Sequence, residues 1–395
     1  MKVAIVRERR AEERRVAASP DTVRRMVDLG LDVIVESGAG TGAWIPDTAY
    51  QAAGAVVALD EPTALADADF VLKVQPPLRG EQGIDELALI KPGAVLIGLL
   101  QPLQNLADIE AYAQAGVTAF AMELIPRITR AQAMDVLSSQ ANLAGYKAVL
   151  DAAGAFGRAF PMMMTAAGTV KAARVLVMGA GVAGLQAIAT ARRLGAIVSA
   201  TDVRAAAKEQ VESLGATFIT VDEAVSRSAE TAGGYAREMG EDYQRRQREK
   251  VTEALRRTDI VICTALIPGR RAPILLTHEM LAGMAPGSVV VDLAVEAGGN
   301  VEGSRPGETV ATVNGVTIIG HVNMPSRLAV DASQLYARNL LAFLGLLVSE
   351  DGGLKIDIAD EIVSAALLTR DGAVVNPALM PVGSAAPAEM PADEA

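Results

Sequence analysis

The chain has 395 residues, 51% hydrophobic and 21% charged, with 36 glycines and only 3% aromatics. That length exceeds one ordinary core and sets two domains as the expectation, and the Ala/Val/Gly-rich composition is that of α/β proteins built on buried parallel strands. A net charge of −11 repels nucleic acid and anionic lipid, and a single cysteine, Cys263, excludes an intrachain disulfide.

The opening run Met1–Val6 is too short and too soon charged, at Lys2, to read as a signal peptide. β-rich runs follow at Val3–Val6, Val33–Glu36, Val56–Leu59, Phe70–Val74, Val95–Leu99 and Thr118–Met122. They alternate with helical stretches such as Pro20–Leu29, where Ser19 and Pro20 read as N-cap and first helical residue, and Ala107–Ala115. Strands alternating with helices imply βαβ units and a parallel sheet. The glycine cluster Gly38–Gly42 lacks dinucleotide-binding spacing and reads as a loop.

A long helical pattern from Ala131 to Ala159, ending at Phe160-Pro161, reads as an interdomain helix. A second array then begins at Arg174–Met178 and continues through Ile197–Thr201, Thr217–Thr220, Ile260–Cys263, Val289–Asp292 and Thr317–Gly320. A second long helical pattern, Val330–Val348, leads back to the first domain. Its most apolar part, Leu340–Val348, is about half of what a bilayer needs, so any membrane connection is expected through another polypeptide. The segment Leu354–Val375, with Asp371-Gly372 as a turn, reads as a hairpin or small strands. The expected architecture is α/β: two Rossmann-like doubly wound parallel-sheet domains joined by long helices. One comprises residues 1–135 plus about 330–380 and the other residues 136–329. The Ala/Pro/Glu-rich tail 384–395 is expected to be disordered.

The sharpest local signal is Gly179-Ala180-Gly181-Val182-Ala183-Gly184, which follows an apolar strand and opens the helix Leu185–Leu194. The first glycine permits a tight turn, the second lets a pyrophosphate approach the backbone, and the third allows helix to pack on strand. The phosphates then meet free N–H groups at the helix N-terminus. The next strand ends in Asp202, eighteen residues after Gly184. A carboxylate there can bond both adenosine ribose hydroxyls and repel a 2′-phosphate, which favours NAD over NADP. Arg204 is the counter-signal, since a nearby arginine can accept that phosphate.

The glycine-containing run Thr231–Ala236 precedes the charged helical stretch Arg237–Arg256; it reads equally as a lid or as a solvated loop. Cys263 lies in an apolar run and reads as a buried structural thiol. The two histidines, His278 after Thr277 and His321 after a strand, have no metal-like companions, so no metal site is expected.

The chain closely resembles the NAD(H)-binding component, domain I of the alpha subunit, of the proton-translocating transhydrogenases, itself similar to alanine dehydrogenase. The resemblance rests on Glu8-Arg9-Arg10 with Arg14–Ala17, and on Ala121–Asp135, Pro161–Thr169, Gly179–Ile188, Ala229–Ala236 and Asp292–Asn300. It implies a homodimer that delivers NADH to a separate NADP(H)-binding component joined to a proton-conducting membrane domain. It places such a chain in the cytoplasm, peripheral to the membrane through those partners. It also implies roles at the nicotinamide end for Arg127, Gln132 and Asp135, flanked by Ile128 and Thr129, with Ser138 as a further contact. By the same resemblance Tyr235, beside Gly234, tips a mobile loop that closes over nucleotide. Asp202-Val203-Arg204 and the post-strand turn Thr264-Ala265-Leu266 would flank the adenosine and ribose.

Two rivals remain. An alanine dehydrogenase-like enzyme needs a cationic carboxylate clamp and a proton-transfer group. Arg15 and Lys73 resemble its clamp, but Val95–Leu103 carries no histidine and its catalytic aspartate stands as Glu296, so the pocket reads as vestigial. A pure NAD sensor would have no need of a loop such as Arg127–Asp135 to place a nicotinamide.

Overall fold

The computed structural model describes residues 1–80, 83–204, 206–220, 241–267, 269–349 and 352–379. Six strands come first: β1 (Lys2–Ile5), β2 (Asp32–Glu36), β3 (Val56–Ala58), β4 (Phe70–Leu72), β5 (Val95–Gly98) and β6 (Thr118–Ala121). Then come β7 (Met163–Thr165), β8 (Gly168–Val170), β9 (Arg174–Met178), β10 (Ile197–Thr201), β11 (Thr217–Phe218), β12 (Ile260–Cys263), β13 (Val289–Asp292), β14 (Thr309–Ala311) and β15 (Thr317–Ile319). The last two are β16 (Leu367–Arg370) and β17 (Ala373–Val374). The chain divides into two compact units. The first contains Met1–Arg10, Val16–Asp135 and the chain from Ala337 onward; the second contains Ala11–Arg15 and Val136–Tyr336.

The sheet of the first unit runs β17-β16-β6-β5-β4-β1-β2-β3. Its first six strands are parallel, and β16 and β17 add an antiparallel edge. The sheet of the second unit runs β11-β10-β9-β12-β13-β15-β14, parallel except for β14. Both are doubly wound, as the sequence pattern implies. The short runs of Val, Ile and Leu read as continuous apolar strands because both faces are covered. In the second unit, Val175, Val177, Ile260, Ile262, Val289 and Val291 enter one core, while Leu176, Met178, Val261, Cys263, Val290 and Ile318 enter the other. Alternation across the pleat divides the side chains between two helical layers.

Local signals set several boundaries. Helix Pro20–Asp28 starts at Ser19, whose hydroxyl accepts the Thr22 N–H while Thr22 Oγ1 accepts the Ser19 N–H. The long helix expected from Ala131 begins later, as Val136–Ala155. Thr129–Met134 instead forms a 3₁₀ turn that buries Ala131 and Met134, three residues apart and therefore on one side of that tighter helix. The second long helix is Ala329–Leu347, and the charged helix is described over Glu241–Leu255. Three elements carry no prior expectation: the hairpin β7–β8, strand β14 and helix Glu361–Ala366. The last is capped by Asp360, which accepts the N–H groups of Ile362 and Val363. Gly234, Tyr235, the rest of 231–236 and the tail 384–395 lie outside the described residues.

Helix Val136–Ala155 lies against the first turn of helix Val182–Arg193. A Cβ on Gly145 would collide with the backbone carbonyl of Ala183, so glycine is what allows the two helices to meet. Gly154, in the same helix, faces open space. Gly145→Ala is expected to lower stability by about 1–3 kcal/mol through overpacking. Gly154→Ala should raise it by up to about 1 kcal/mol through helix propensity. Thermal unfolding of the pair checks this, and equal shifts would refute the constraint at Gly145.

Candidate functional site

In the second unit the strand order reverses between β9 and β12, and the crevice at the carboxyl ends of such strands is where open α/β sheets bind ligands. The three glycines of the turn after β9 do separate jobs. Gly179 has φ 100°, and a Cβ there would stand 2.5 Å from Thr264 Oγ1 and 3.3 Å from Ala265 N. A Cβ on Gly184 would collide with the carbonyl oxygen of Gly179. Gly181 faces open space, with Arg204 Nη2 the nearest atom at 4.0 Å. The first and third glycines thus answer to the fold, and the second leaves a cradle that a side chain would fill. Ala180 is buried beneath the turn. Helix Val182–Arg193 starts here, so the N–H groups of Val182, Ala183 and Gly184 have no partner within the helix. That arrangement fits a diphosphate.

Asp202 follows β10, with its carboxylate 6% exposed. Its Oδ2 accepts the Ala180 N–H at 2.7 Å, which ties the acid to the glycine turn. Arg204 folds back onto the same carboxylate: its backbone N–H donates at 2.8 Å, Nε at 3.0 Å and Nη2 at 2.9 Å. The acid and the counter-signal named in the sequence are therefore one ion pair, with half-buried Val203 between them. Across the switch point, Thr264 Oγ1 donates to the Gly179 carbonyl at 2.9 Å. Ala265 is half-buried, while Leu266 is exposed.

The residues expected at the nicotinamide end fall on two units. Arg127, Ile128, Thr129, Gln132 and Asp135 belong to the first; Ser138, in the first turn of helix Val136–Ala155, belongs to the second. The loop Glu123–Asp135 is pinned from beneath. Arg130 forks onto Asp360 at 2.6 and 2.9 Å, holding that carboxyl down at about 2. Asn339 Nδ2 donates to the Ala133 carbonyl at 2.7 Å. At the loop's root, Glu123 Oε1 accepts the Gln101 N–H at 2.5 Å, and its burial pushes the carboxyl up to about 7. With these anchors inside, Arg127, Thr129 and Gln132 are exposed.

The cations of the rival clamp are each engaged by acids of their own unit. Arg15 donates Nε to Glu13 Oε1 at 2.9 Å and Nη2 to Glu13 Oε2 at 2.7 Å, and it also bonds Gln140 and Asn323. Glu296 accepts the N–H of Asn323, which sits in the left-handed region at φ 46°. Lys73 Nζ bonds Glu86 at 2.8 Å and lies 3.5 Å from Glu8. Glu13, Glu86 and Asn323 are partners that no local pattern announces, since 308 residues separate Arg15 from Asn323. The histidines and the cysteine serve the fold: His321 Nδ1 pairs with Asp151 at 3.0 Å, and the His278 N–H bonds Glu302. Burial raises the Cys263 thiol, and Asp292 adds to it.

The family models for the N-terminal and C-terminal domains of "Alanine dehydrogenase/PNT" match residues 4–144 and 148–377. The chain is 60% identical over 385 residues to the first of the chains that make up the NAD(P) transhydrogenase alpha subunit of Rhodospirillum rubrum, covering 97% of this chain and 100% of that one. It is 30% identical over 378 residues to the alanine dehydrogenase of Halomonas elongata, covering 94% of each. The crystal structure of transhydrogenase from Sinorhizobium meliloti superposes with a TM-score of 0.85 at 54% identity, over 95% of this chain and 100% of that one.

The buried charges around Lys73 make a titration accessible. Arg9 and Lys73 are faced by Glu8, Glu36, Glu61 and Glu86, so acids outnumber bases. Burial, then repulsion from Glu86, raises the Glu61 carboxyl from 4.5 to about 7. A raised carboxyl favours the folded state fully below pH 4.5, and that contribution is lost as pH climbs through about 7. Glu61→Gln removes the penalty, so its stability relative to the parent should rise by on the order of 2 kcal/mol between pH 5 and pH 8. Unfolding followed at both values checks this; a difference independent of pH would contradict it.

Proposed function

The chain belongs to the alanine dehydrogenase/PNT family, and from that premise we propose that it is the NAD(H)-binding component of a proton-translocating NAD(P) transhydrogenase. Hydride passes from NADH on this chain to NADP+ held by a separate subunit, with proton movement in membrane chains that are separate again. The observation that carries the reading is 60% identity along the whole chain to a transhydrogenase alpha-subunit chain, against 30% to an alanine dehydrogenase. The engagement of Arg15 by Glu13 and of Lys73 by Glu86 supports it, because neither cation stands spare for a substrate carboxylate.

Hydride transfer between two nicotinamides needs no acid or base, only close approach with water excluded. The reduced nicotinamide supplies the hydride, and the chain supplies position. The turn Gly179–Gly184 takes the diphosphate on its N–H groups. Asp202 takes the adenosine ribose hydroxyls, with Val203, Arg204, Ala265 and Leu266 around them. Arg127, Ile128, Thr129, Gln132, Asp135 and Ser138 orient the carboxamide and ring, and Gly234 and Tyr235 contribute a loop that closes over it. No helix among the described residues is long and apolar enough to cross a membrane, which accords with peripheral attachment through partners. A homodimer on the cytoplasmic side completes the reading.

Titration is expected to show NADH binding tighter than NADPH, since a 2′-phosphate would stand beside the Asp202 carboxylate; equal affinities would remove that role from Asp202. Alone, the chain should neither reduce NADP+ with NADH nor oxidise L-alanine with NAD+, and turnover of L-alanine would establish the rival. With partner subunits present, Gln132→Ala or Arg127→Ala should slow hydride transfer by about 10–100-fold while largely sparing NADH affinity. A large loss of affinity with normal saturated turnover would contradict the assignment.

A further inference from the structure

The run Asp292–Asn300 has no task in the site described so far, yet both its ends are polar side chains with no exposed surface. A buried carboxylate costs several kcal/mol unless it is hydrogen-bonded. Asp292 is ringed by backbone donors: Oδ1 accepts from Ala294 at 3.0 Å and Asn300 at 3.2 Å, and Oδ2 accepts from Asn300 at 3.0 Å and Val301 at 3.2 Å. Gly298 and Gly299, at φ 96° and 80°, bend the chain back to bring those donors in. A Cβ on Gly299 would stand 2.9 Å from Asp292 Oδ2.

This ring fixes the backbone of Asn300, whose side chain then reaches a different loop. Its Oδ1 accepts the Ala265 N–H at 3.0 Å, and its Nδ2 donates to the Ala265 carbonyl at 2.9 Å and the Pro273 carbonyl at 2.8 Å. Both amide hydrogens and the oxygen are used. The reciprocal pair on Ala265 copies one rung of an antiparallel ladder and leaves that residue no rotational freedom. Its neighbour Thr264 bonds the Gly179 carbonyl, and the Gly179 Cβ position lies 3.3 Å from Ala265 N. Asp292, Asn300, Ala265, Thr264 and Gly179 thus form one connected series across the switch point.

We propose that Asn300, held by Asp292, is a positioning residue for dinucleotide binding. It lies too deep to touch the nucleotide, and it sets the backbone of Thr264–Ala265 as the wall facing the glycine turn and the adenosine half of the ligand. The proposal rests on reading this site as an NAD(H) site. Asparagine is required there because aspartate, equal in shape, has no N–H and would set lone pairs against two carbonyl oxygens.

The test is Asn300→Asp in the full chain, titrated with NADH and with ADP-ribose, and assayed for hydride transfer at saturating NADH with the partner subunits. Both dissociation constants are expected to rise by the same factor, about tenfold or more, from the lost and opposed hydrogen bonds. The saturated rate should stay within about twofold, because the nicotinamide end is untouched. If the aspartate variant does not fold, Asn300→Ser is read in the same way, since one hydroxyl cannot serve Ala265 and Pro273 together. A folded variant that melts earlier with unchanged affinity for ADP-ribose overturns the proposal. So does one that loses NADH affinity alone. Wild-type protein that binds neither ligand overturns the reading of the site as well, which separates the two failures.

Discussion

At the carboxyl ends of β9 and β12 the backbone comes so close together that no side chain fits between its parts. Gly179 bears on Thr264, and Gly184 bears on Gly179 itself. Nearby, Gly145 bears on Ala183 at the first turn of the helix that follows. Close packing of main chain is what turns the end of a strand and the start of a helix into a rigid pocket of N–H groups, with Gly181 left open on its outer side. Elsewhere the site is a matter of holding that pocket still.

The polar groups nearby share one logic. Each carboxylate that could disturb the turn is given fixed donors: Asp202 has Ala180 and Arg204, and Asp292 has its ring of backbone amides. The same economy in the first unit absorbs the charges that a carboxylate substrate would need. Lys73 is buried between Glu8 and Glu86, which outweigh the effect of burial and keep its pKa above the ordinary value. A chain arranged in this way presents a nucleotide in a set position and leaves the chemistry to the ring and to whatever meets it.

Much of this was legible in sequence because it is local. Ser19 before Pro20 announces a capped helix, strand–turn–helix periodicity announces the doubly wound sheet, and the spacing of Gly179, Gly181 and Gly184 announces the turn. What was not legible depends on residues far apart in the chain. The amide of Asn300 closes on Ala265, 35 positions away, and Arg15 meets Gln140 across 125. No periodicity encodes such pairs. The 3₁₀ turn at Thr129–Met134 was hidden for the opposite reason: its composition is that of an α-helix, and only the burial of Ala131 and Met134 reveals the tighter winding. Asp360 could have been read as an N-cap before Ile362-Val363, but its fork to Arg130 could not.

The account centres on a direct passage of hydride from a nucleotide on this chain to one on another. The most direct measurement uses NADH carrying deuterium at the transferable position of C4, supplied to the complex of this chain with its NADP(H)-binding and membrane subunits. The account predicts deuterium on C4 of the NADPH formed, without exchange with water, and no transfer when this chain is left out. Deuterium lost to solvent, or NADPH formed at the same rate without this chain, would contradict it.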